Sequence, residues 1–287
     1  MDVTIHPATH VGALALTVSN LERALDFYTR TIGFTRLNGD PAAKSAVVGV
    51  DQVPLLHLTE QPGARRPANT TGLYHFAIRL PNRLALARVV YHLAEVNAPI
   101  QGVADHGVSE AVYLADPDRN GIEIYRDRPE DDWPVDDQDQ IMMYTDPLDV
   151  EDLLGELSGQ QAAEPQLPAG TVIGHVHLHV ADLEQADAFY RGVLGLDLMQ
   201  RYGEQALFFS AGGYHHHVGV NTWAGQGAPP PPPDSVGLRW FELRLPDEEA
   251  LNAVLDRLRT AGRPVEPHPR GHLTHDPSQN GVLLSAA

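Results

Sequence analysis

The histidines of this sequence are numerous and clustered, and such clusters can bind a metal ion or transfer protons. The 287-residue chain contains 15 histidines and no cysteine. Three histidines alternate along one segment, at His175, His177 and His179, and three are consecutive at His215–His217. The lack of cysteine excludes disulfides, thiolate metal sites and a cysteine nucleophile, so a metal site must consist of imidazole and carboxylate groups. Such ligands suit Fe(II), Mn(II), Ni(II) or Zn(II).

An internal repeat supplies the elements that would hold these histidines. Residues 11–34 and 173–196 align without a gap. Each copy predicts an alternating strand, a helix cap at Asn20 or Asp182, and an amphipathic helix with its apolar face towards the core.

A second and weaker repeat begins at residues 72 and 237. Each copy starts with a strand, continues into a helix, and ends in an Asp-Pro and Asn-Gly turn before a last strand. The sequence therefore predicts four strand–helix–strands modules. Their expected bounds are modules 10–60 and 72–127 in an N-terminal domain of residues 1–127, a linker at 128–170, and modules 172–223 and 237–287 in a C-terminal domain of residues 171–287.

Four such modules resemble the vicinal oxygen chelate superfamily, which includes glyoxalases, extradiol dioxygenases and bleomycin-resistance proteins. The resemblance covers nearly the whole chain outside residues 128–170. It implies an α+β fold in which four βαβββ modules form two cup-shaped, mostly antiparallel sheets with the helices outside. It also implies a divalent metal in a cup, with ligands from the first and last strands of the modules.

The resemblance assigns the metal ligands to modules two and three. The ligand positions there carry His75, Glu123 and His175. The equivalent positions in modules one and four carry Ala13, Trp240 and Leu283. We therefore expect modules two and three to share the metal-binding cup, and modules one and four to form a second cup without metal. Two histidines and one glutamate leave one face of an octahedral ion open, as in Fe(II) oxygenases.

Residues 104–123 resemble the extradiol ring-cleavage signature. The matching residues are His106, Val112, Tyr113, Asp116, Pro117 and Glu123. Two departures from the pattern, Ala104 and Arg119, lie at turn positions. The signature separates extradiol enzymes from glyoxalases and resistance proteins.

The resemblance implies a catechol 2,3-dioxygenase-type enzyme that contains Fe(II), with Mn(II) as the possible replacement. Such an enzyme inserts O2 into a catechol-like aromatic diol and opens the ring next to the two oxygens. Tyr113 would hydrogen-bond the deprotonated substrate oxygen or the peroxo intermediate, and His106 would be the donor that orients Tyr113.

Extradiol enzymes also carry a catalytic acid–base histidine on the last strand of module three, where His215–His217 lie. Strand alternation would turn His215 and His217 towards the cup, whereas alignment with the family favours His216. A bulge would reconcile the two registers. The remaining polar residues expected to line the substrate site are His177, His179 and Asn221.

Two other functions stay open. A glyoxalase- or isomerase-like enzyme would use Zn(II) or Ni(II), but such enzymes generally have a second carboxylate ligand. A small-molecule-binding protein without catalysis is expected if module one pairs with two and module three with four, because neither pair then has a complete ligand set.

Charge and hydropathy indicate the kind of partner. The net charge of −18, from 20 basic and 38 acidic residues, disfavours nucleic acid and anionic membranes. No apolar stretch is long enough to span a membrane, and the N-terminus does not resemble a signal peptide. We expect a cytoplasmic protein whose partners are a small aromatic diol and O2 and which can assemble as a homo-oligomer.

Overall fold

The computed structural model describes residues 4–159 and 166–287, and the four modules contain nearly all of its regular structure. Module one comprises β1 (His10–Val18), α1 (Leu21–Asp26) with a π-helical turn (Phe27–Ile32), β2 (Thr35–Asp40), β3 (Ser45–Val50) and β4 (Val53–Glu60). Module two comprises β5 (Gly72–Leu80), α2 (Arg83–Glu95), β6 (Gly102–Asp105), β7 (Ser109–Ala115) and β8 (Gly121–Asp127).

A 3₁₀ turn (Glu130–Asp132) and α3 (Val150–Gly155) follow before the third module. Module three comprises β9 (Val172–His179), α4 (Leu183–Tyr190), β10 (Asp197–Tyr202), β11 (Ala206–Ser210) and β12 (Val218–Asn221). Module four comprises β13 (Gly237–Leu245), α5 (Glu248–Thr260), β14 (Glu266–His268), β15 (Gly271–His275) and β16 (Gly281–Ala286).

Each α-helix begins at a side-chain cap. The side-chain oxygen of Asn20 accepts a hydrogen bond from the backbone N–H three residues later, and Asp182 does the same at the start of α4. Both caps were expected from the repeat. The other capping residues are Asn82, Asp149 and Asp247.

The strands form two curled eight-stranded sheets. The first sheet has the order β14-β15-β16-β13-β1-β4-β3-β2 and contains modules four and one. The second sheet has the order β10-β11-β12-β9-β5-β8-β7-β6 and contains modules three and two. The predicted α+β class and the pairing of modules one with four and two with three are therefore confirmed.

Pairing is mostly antiparallel, with parallel exceptions where the first strand of a module meets its last. Parallel pairs of this kind include β9 with β12, β5 with β8, and β13 with β16. Because side chains alternate across each strand, one set packs on the helices and the other lines the opposite face of the sheet.

A buried tyrosine fastens each odd-numbered module to the turn of the module that follows it. The Tyr28 hydroxyl donates to Asp116 at 2.8 Å, and the Tyr190 hydroxyl donates to Asp276 at 3.0 Å. Both acceptors belong to the Asp-Pro and Asn-Gly turns that the repeat predicted. Burial raises the pKa of both aspartates, while hydrogen bonds from the turn and from the tyrosines oppose that shift.

Backbone contacts divide the chain into two compact units. One comprises residues 1–16, 66–74 and 174–287, and the other comprises residues 17–65 and 75–173. The domain limits expected from the sequence stay a prediction. In residues 4–159 and 166–287, none of the helices has the length and apolar character required to cross a membrane.

Candidate metal centre

The three predicted ligands lie on neighbouring strands of the second sheet. His175 is on β9, His75 is on β5 and Glu123 is on β8, in that order across the sheet. The parallel register of β5 and β8 pairs Ala77 with Glu123, so His75 and Glu123 lie on one face two residues apart along the ladder.

These three side chains are buried and close together. His75, Glu123 and His175 are 8%, 3% and 2% exposed. The distance from His75 Nε2 to the Glu123 carboxylate is 3.1 Å. One ligand atom from each of the three residues lies within 4.8 Å of the other two, and theirs is the one such group found in residues 4–159 and 166–287.

The donor set fits a divalent metal ion. Two imidazole nitrogens and one carboxylate oxygen are ligands that Fe(II), Mn(II) and Zn(II) accept. A buried glutamate is costly unless a cation or several donors compensate its charge. His75, Glu123 and His175 would hold the ion.

Tyr113 and His106 form a hydrogen-bonded pair beside this group. The Tyr113 ring centroid lies 5.9 Å from that of His75, and the Tyr113 hydroxyl is 2.6 Å from His106 Nε2. The other ring nitrogen of His106 lies 2.7 Å from the backbone oxygen of Tyr144. Tyr144 was not predicted from the sequence, because it lies in irregular structure where no periodicity marks it.

The three consecutive histidines precede β12, which begins at Val218. Strand alternation therefore does not assign their directions. His217 is nevertheless tied to β11, because its backbone N–H donates to Phe209 and its Nδ1 lies 2.9 Å from the Ser210 hydroxyl. His216 stacks at a tilt on His175, with ring centroids 4.0 Å apart.

His215 contacts both of its neighbours. Its Nδ1 is 2.8 Å from His216 Nδ1, and its ring centroid is 6.2 Å from that of His175. His216 is thus closer than His215 to the candidate ligand His175, and His217 is engaged with the adjacent strand. All three rings are buried.

The predicted substrate-lining residues belong to a cluster of rings. His177 contacts Phe208, Trp223 and Tyr74 at centroid distances of 5.5, 5.3 and 5.2 Å. His179 Nδ1 lies 2.7 Å from the Asn221 side-chain oxygen, so these two predicted residues are in contact. The sequence did not identify Tyr74 and Trp223, although each lies within two residues of a predicted site residue.

The equivalent positions of the first sheet are apolar, as expected. Ala13, Trp240 and Leu283 pack together with Ala15 and Leu273. This cluster contains no group that binds a metal. Its members Ala13, Trp240 and Leu283 stand at the positions that correspond to His175, His75 and Glu123 in the second sheet.

A buried carboxylate that the sequence did not single out lies close to that cluster. Glu242 accepts hydrogen bonds from the Ala13 N–H at 2.8 Å and the Ser285 hydroxyl at 2.7 Å. Arg244 and Arg270 approach it at 3.2 and 3.5 Å. Burial would raise the pKa of Glu242, but these donors and charges outweigh burial and lower that pKa.

Comparisons with known proteins agree with this fold. A family model described as the glyoxalase/bleomycin resistance protein/dioxygenase superfamily matches residues 10–124 and 172–284. The catechol-2,3-dioxygenase of Bacillus subtilis (strain 168) is 44% identical to this chain over 98% of each protein.

Two solved structures share the fold at low identity. A Bacillus subtilis strain 168 structure has a TM-score of 0.64 at 14% identity, over 99% of this chain and 85% of its own. Glyoxalase I from Zea mays has a TM-score of 0.58 at 16% identity, over 96% and 92% of the two chains. Because this family model matches a long stretch in each half of the sequence, the chain belongs to the glyoxalase/bleomycin resistance protein/dioxygenase superfamily.

Proposed function

We propose that the protein is an extradiol dioxygenase that opens the ring of a catechol-like substrate at an Fe(II) ion bound by His75, Glu123 and His175. The observation that carries this proposal is the buried group of two histidines and one glutamate within 4.8 Å. The 44% identity to a catechol-2,3-dioxygenase supports the substrate class and the use of O2. Mn(II) suits the same ligands and is the metal to test beside iron.

A bound Fe(II) ion would lower the pKa of a coordinated hydroxyl and bring the diol and O2 together. The protein's own contribution is to hold the ion, orient the substrate and move protons. We assign Tyr113 to hydrogen-bond a substrate oxygen and His106 to orient the Tyr113 hydroxyl, which the 2.6 Å distance between His106 Nε2 and that hydroxyl supports. His177, His179 and Asn221 are assigned to the substrate-binding surface.

We assign the acid–base role to His216 in preference to its two neighbours. Its ring lies 4.0 Å from that of His175, one of the three proposed metal ligands. An imidazole accepts and returns a proton near neutral pH. His217 is engaged by Ser210 and the Ala211 N–H, so its role is to position the segment. His215 would support His216 through the contact between their Nδ1 atoms.

The test is oxygen uptake by protein purified without oxygen and loaded with Fe(II). With catechol, we expect equimolar oxygen consumption and a yellow semialdehyde product. The same protein loaded with Mn(II) and with Zn(II) identifies the metal. Isomerisation of a glyoxalase substrate by Zn(II)-loaded protein, without oxygen uptake in any sample, would contradict the proposal.

The ligand assignment has its own test. Replacing His75, Glu123 or His175 with alanine should abolish both bound iron and oxygen uptake, because two remaining ligands hold the ion weakly. The exposed His275, in the first sheet, supplies the control variant His275→Ala, which should keep both. Full iron content in all three ligand variants, measured by metal analysis after gel filtration, would reject the site.

A further inference from the structure

His106 has a hydrogen-bond partner on each ring nitrogen. Nδ1 lies 2.7 Å from the backbone oxygen of Tyr144, and Nε2 lies 2.6 Å from the hydroxyl of Tyr113. A carbonyl oxygen only accepts hydrogen bonds, so Nδ1 must carry the proton. The Thr145 hydroxyl is 3.4 Å from the same nitrogen, too far to compete with the carbonyl.

The hydrogen-bond partner of Nδ1 determines whether Nε2 donates or accepts a hydrogen bond. A neutral imidazole has one N–H, so with Nδ1 protonated Nε2 is an acceptor. Tyr113 must then donate its hydroxyl proton to His106. The phenol oxygen of Tyr113 can then only accept a hydrogen bond from a ligand that binds beside His75.

Backbone hydrogen bonds hold Tyr144 at this position. Asp105 and Asp146 exchange two backbone hydrogen bonds, of 2.8 and 2.9 Å, and the Tyr144 N–H donates to the His106 carbonyl at 3.3 Å. Gly107 admits the Tyr144 ring, because a Cβ there would lie 2.7 Å from a ring carbon. Residues 141–146, here called the tautomer segment, thus pair with the strand end that carries His106.

We propose that the tautomer segment is part of the active centre. Its Tyr144 carbonyl holds His106 as the Nδ1–H tautomer, commits the Tyr113 hydroxyl proton to His106, and makes Tyr113 a hydrogen-bond acceptor towards the substrate. As a statement about catalysis this rests on the proposed function, whereas the tautomer itself does not. It gives His106 the role of acceptor in place of the donor role expected from the sequence. It also pairs Tyr113 with a protonated substrate oxygen in place of the deprotonated oxygen expected from the sequence, and it makes Tyr144 a positioning residue.

This arrangement specifies the ligand more closely. An acceptor at Tyr113 favours a ligand group that still carries a proton. A diol that binds with one oxygen ionised and the other protonated satisfies this requirement. A diol whose second oxygen is methylated cannot donate there and should bind more weakly.

The decisive measurement is the tautomer of His106. A long-range ¹H–¹⁵N spectrum of protein loaded with diamagnetic Zn(II) reports which ring nitrogen is protonated, at a pH well above the ordinary histidine pKa of ~6.5. The His106 signals are identified by their loss in His106→Gln. We expect the Nδ1–H pattern in the wild type, and an Nε2–H pattern there would overturn the proposal.

Asp146 offers a matched pair of variants. Asp146→Pro removes the N–H that donates to the Asp105 carbonyl, whereas Asp146→Ala keeps every backbone bond and changes only an exposed side chain. We expect the Nδ1–H pattern to be lost in Asp146→Pro and kept in Asp146→Ala. Gly107→Ala is a second route to the same loss if Asp146→Pro does not fold, because the added Cβ would clash with the Tyr144 ring at 2.7 Å and the φ of +76° at residue 107 strains the backbone that pairs with Tyr144. An unchanged tautomer in whichever of the two variants folds would overturn the proposal.

Catalysis is read out separately. In Asp146→Pro, kcat/KM for catechol should fall about tenfold with bound iron unchanged, because a group that orients an active-site residue has been displaced. An unchanged kcat/KM in a variant that has lost the tautomer would overturn the catalytic role. If wild-type protein shows the Nδ1–H pattern but no oxygen uptake, the proposed function is rejected and the assignment of the His106 tautomer stands.

Discussion

Gly219 determines where the ring of His177 can lie. A Cβ at residue 219 would be 3.0 Å from His177 Cγ and 3.1 Å from Cδ2. The imidazole therefore packs directly on the β12 backbone. Any side chain at this position has to move the ring, which we have assigned to the substrate-binding surface.

We expect Gly219→Ala to lower the free energy of unfolding by about 1 kcal/mol, because it overpacks a buried position. It should also raise KM for catechol with little loss of iron. Urea unfolding and steady-state oxygen uptake measure the two effects. Gly102→Ala is the control, since an added Cβ there meets no atom within 4 Å. Equal KM values for the two variants would contradict the placement of His177 beside the substrate.

Glu242 predicts an acid-sensitive contribution to stability. Because its pKa is lowered in the folded state, the contribution is fully present above the unfolded pKa of about 4.3 and is lost as the pH falls through the folded pKa. Glu242→Gln should remove this dependence. At neutral pH the variant should lose about 3 kcal/mol, since Arg244 and Arg270 then face no carboxylate.

Urea unfolding of both proteins across this pH range measures the effect of Glu242. The Gln variant keeps the size of the side chain, so a packing defect alone would give a constant difference between the two curves. A difference that does not shrink at acidic pH would show that the carboxylate charge is not responsible.

The predictable residues were those that occupy equivalent positions in a repeat. His75, Glu123 and His175 were assigned by alignment with the family's ligand positions, and the structure brings them together. Tyr144 and Glu242 had no such support. Tyr144 acts through its backbone oxygen, which its side-chain type does not reveal. Glu242 depends on donors as distant in sequence as Ala13.

At the scale of elements, the two tyrosine–aspartate contacts give a matched pair of tests. Tyr28→Phe and Tyr190→Phe each remove one donor from a buried aspartate and leave the ring in place. Each should lower the free energy of unfolding at neutral pH by about 1 to 2 kcal/mol.

The effect of Tyr28→Phe should depend on pH. The pKa of Asp116 is already raised in the folded state by burial, and losing the tyrosine donor raises it further. Stability linked to a raised pKa is present below the unfolded value of about 3.9 and is lost as the pH rises through the folded pKa. The deficit of the variant should therefore shrink towards pH 4, as measured by urea unfolding. A deficit independent of pH would indicate lost packing alone.

Alternation, caps and turns predicted the strand–helix–strands order within the modules, but two local features were not predictable. The helix after β1 changes to a π-helical turn at Phe27–Ile32, which single-residue patterns do not distinguish from an α-helix. The segment before β12 is irregular at His215–His217, so the alternation rule failed there. Both depend on a few backbone hydrogen bonds and not on side-chain periodicity.

At the scale of the whole molecule, each sheet contains strands from both halves of the sequence. Strand β5 is a neighbour of β9, and β1 is a neighbour of β13. We expect fragments 1–159 and 166–287, expressed separately, to aggregate or to stay partly folded, because each exposes unpaired strand edges. Neither should bind stoichiometric iron, since His75 and Glu123 belong to one fragment and His175 to the other.

Coexpression of the two fragments should restore both solubility and iron binding. Gel filtration with metal analysis measures this outcome. Stoichiometric, tight iron binding by either fragment alone would show that the ligand set does not need both halves. The pairing of module two with module three was predictable from the sequence, because only these two modules together carry two histidines and a glutamate at the family's ligand positions.

The apolar cluster of Ala13, Trp240 and Leu283 bears on how the protein has evolved. The proposed metal ligands His75, Glu123 and His175 are confined to the second sheet, whereas the first sheet carries apolar side chains at the equivalent positions. The first sheet is free to accumulate hydrophobic replacements that strengthen the common fold. Under the proposed function, selection for chemistry would therefore act mainly on the second sheet, and selection for stability could act on the first. A surplus of stability in one sheet lets the other tolerate the substitutions through which a new substrate preference arises.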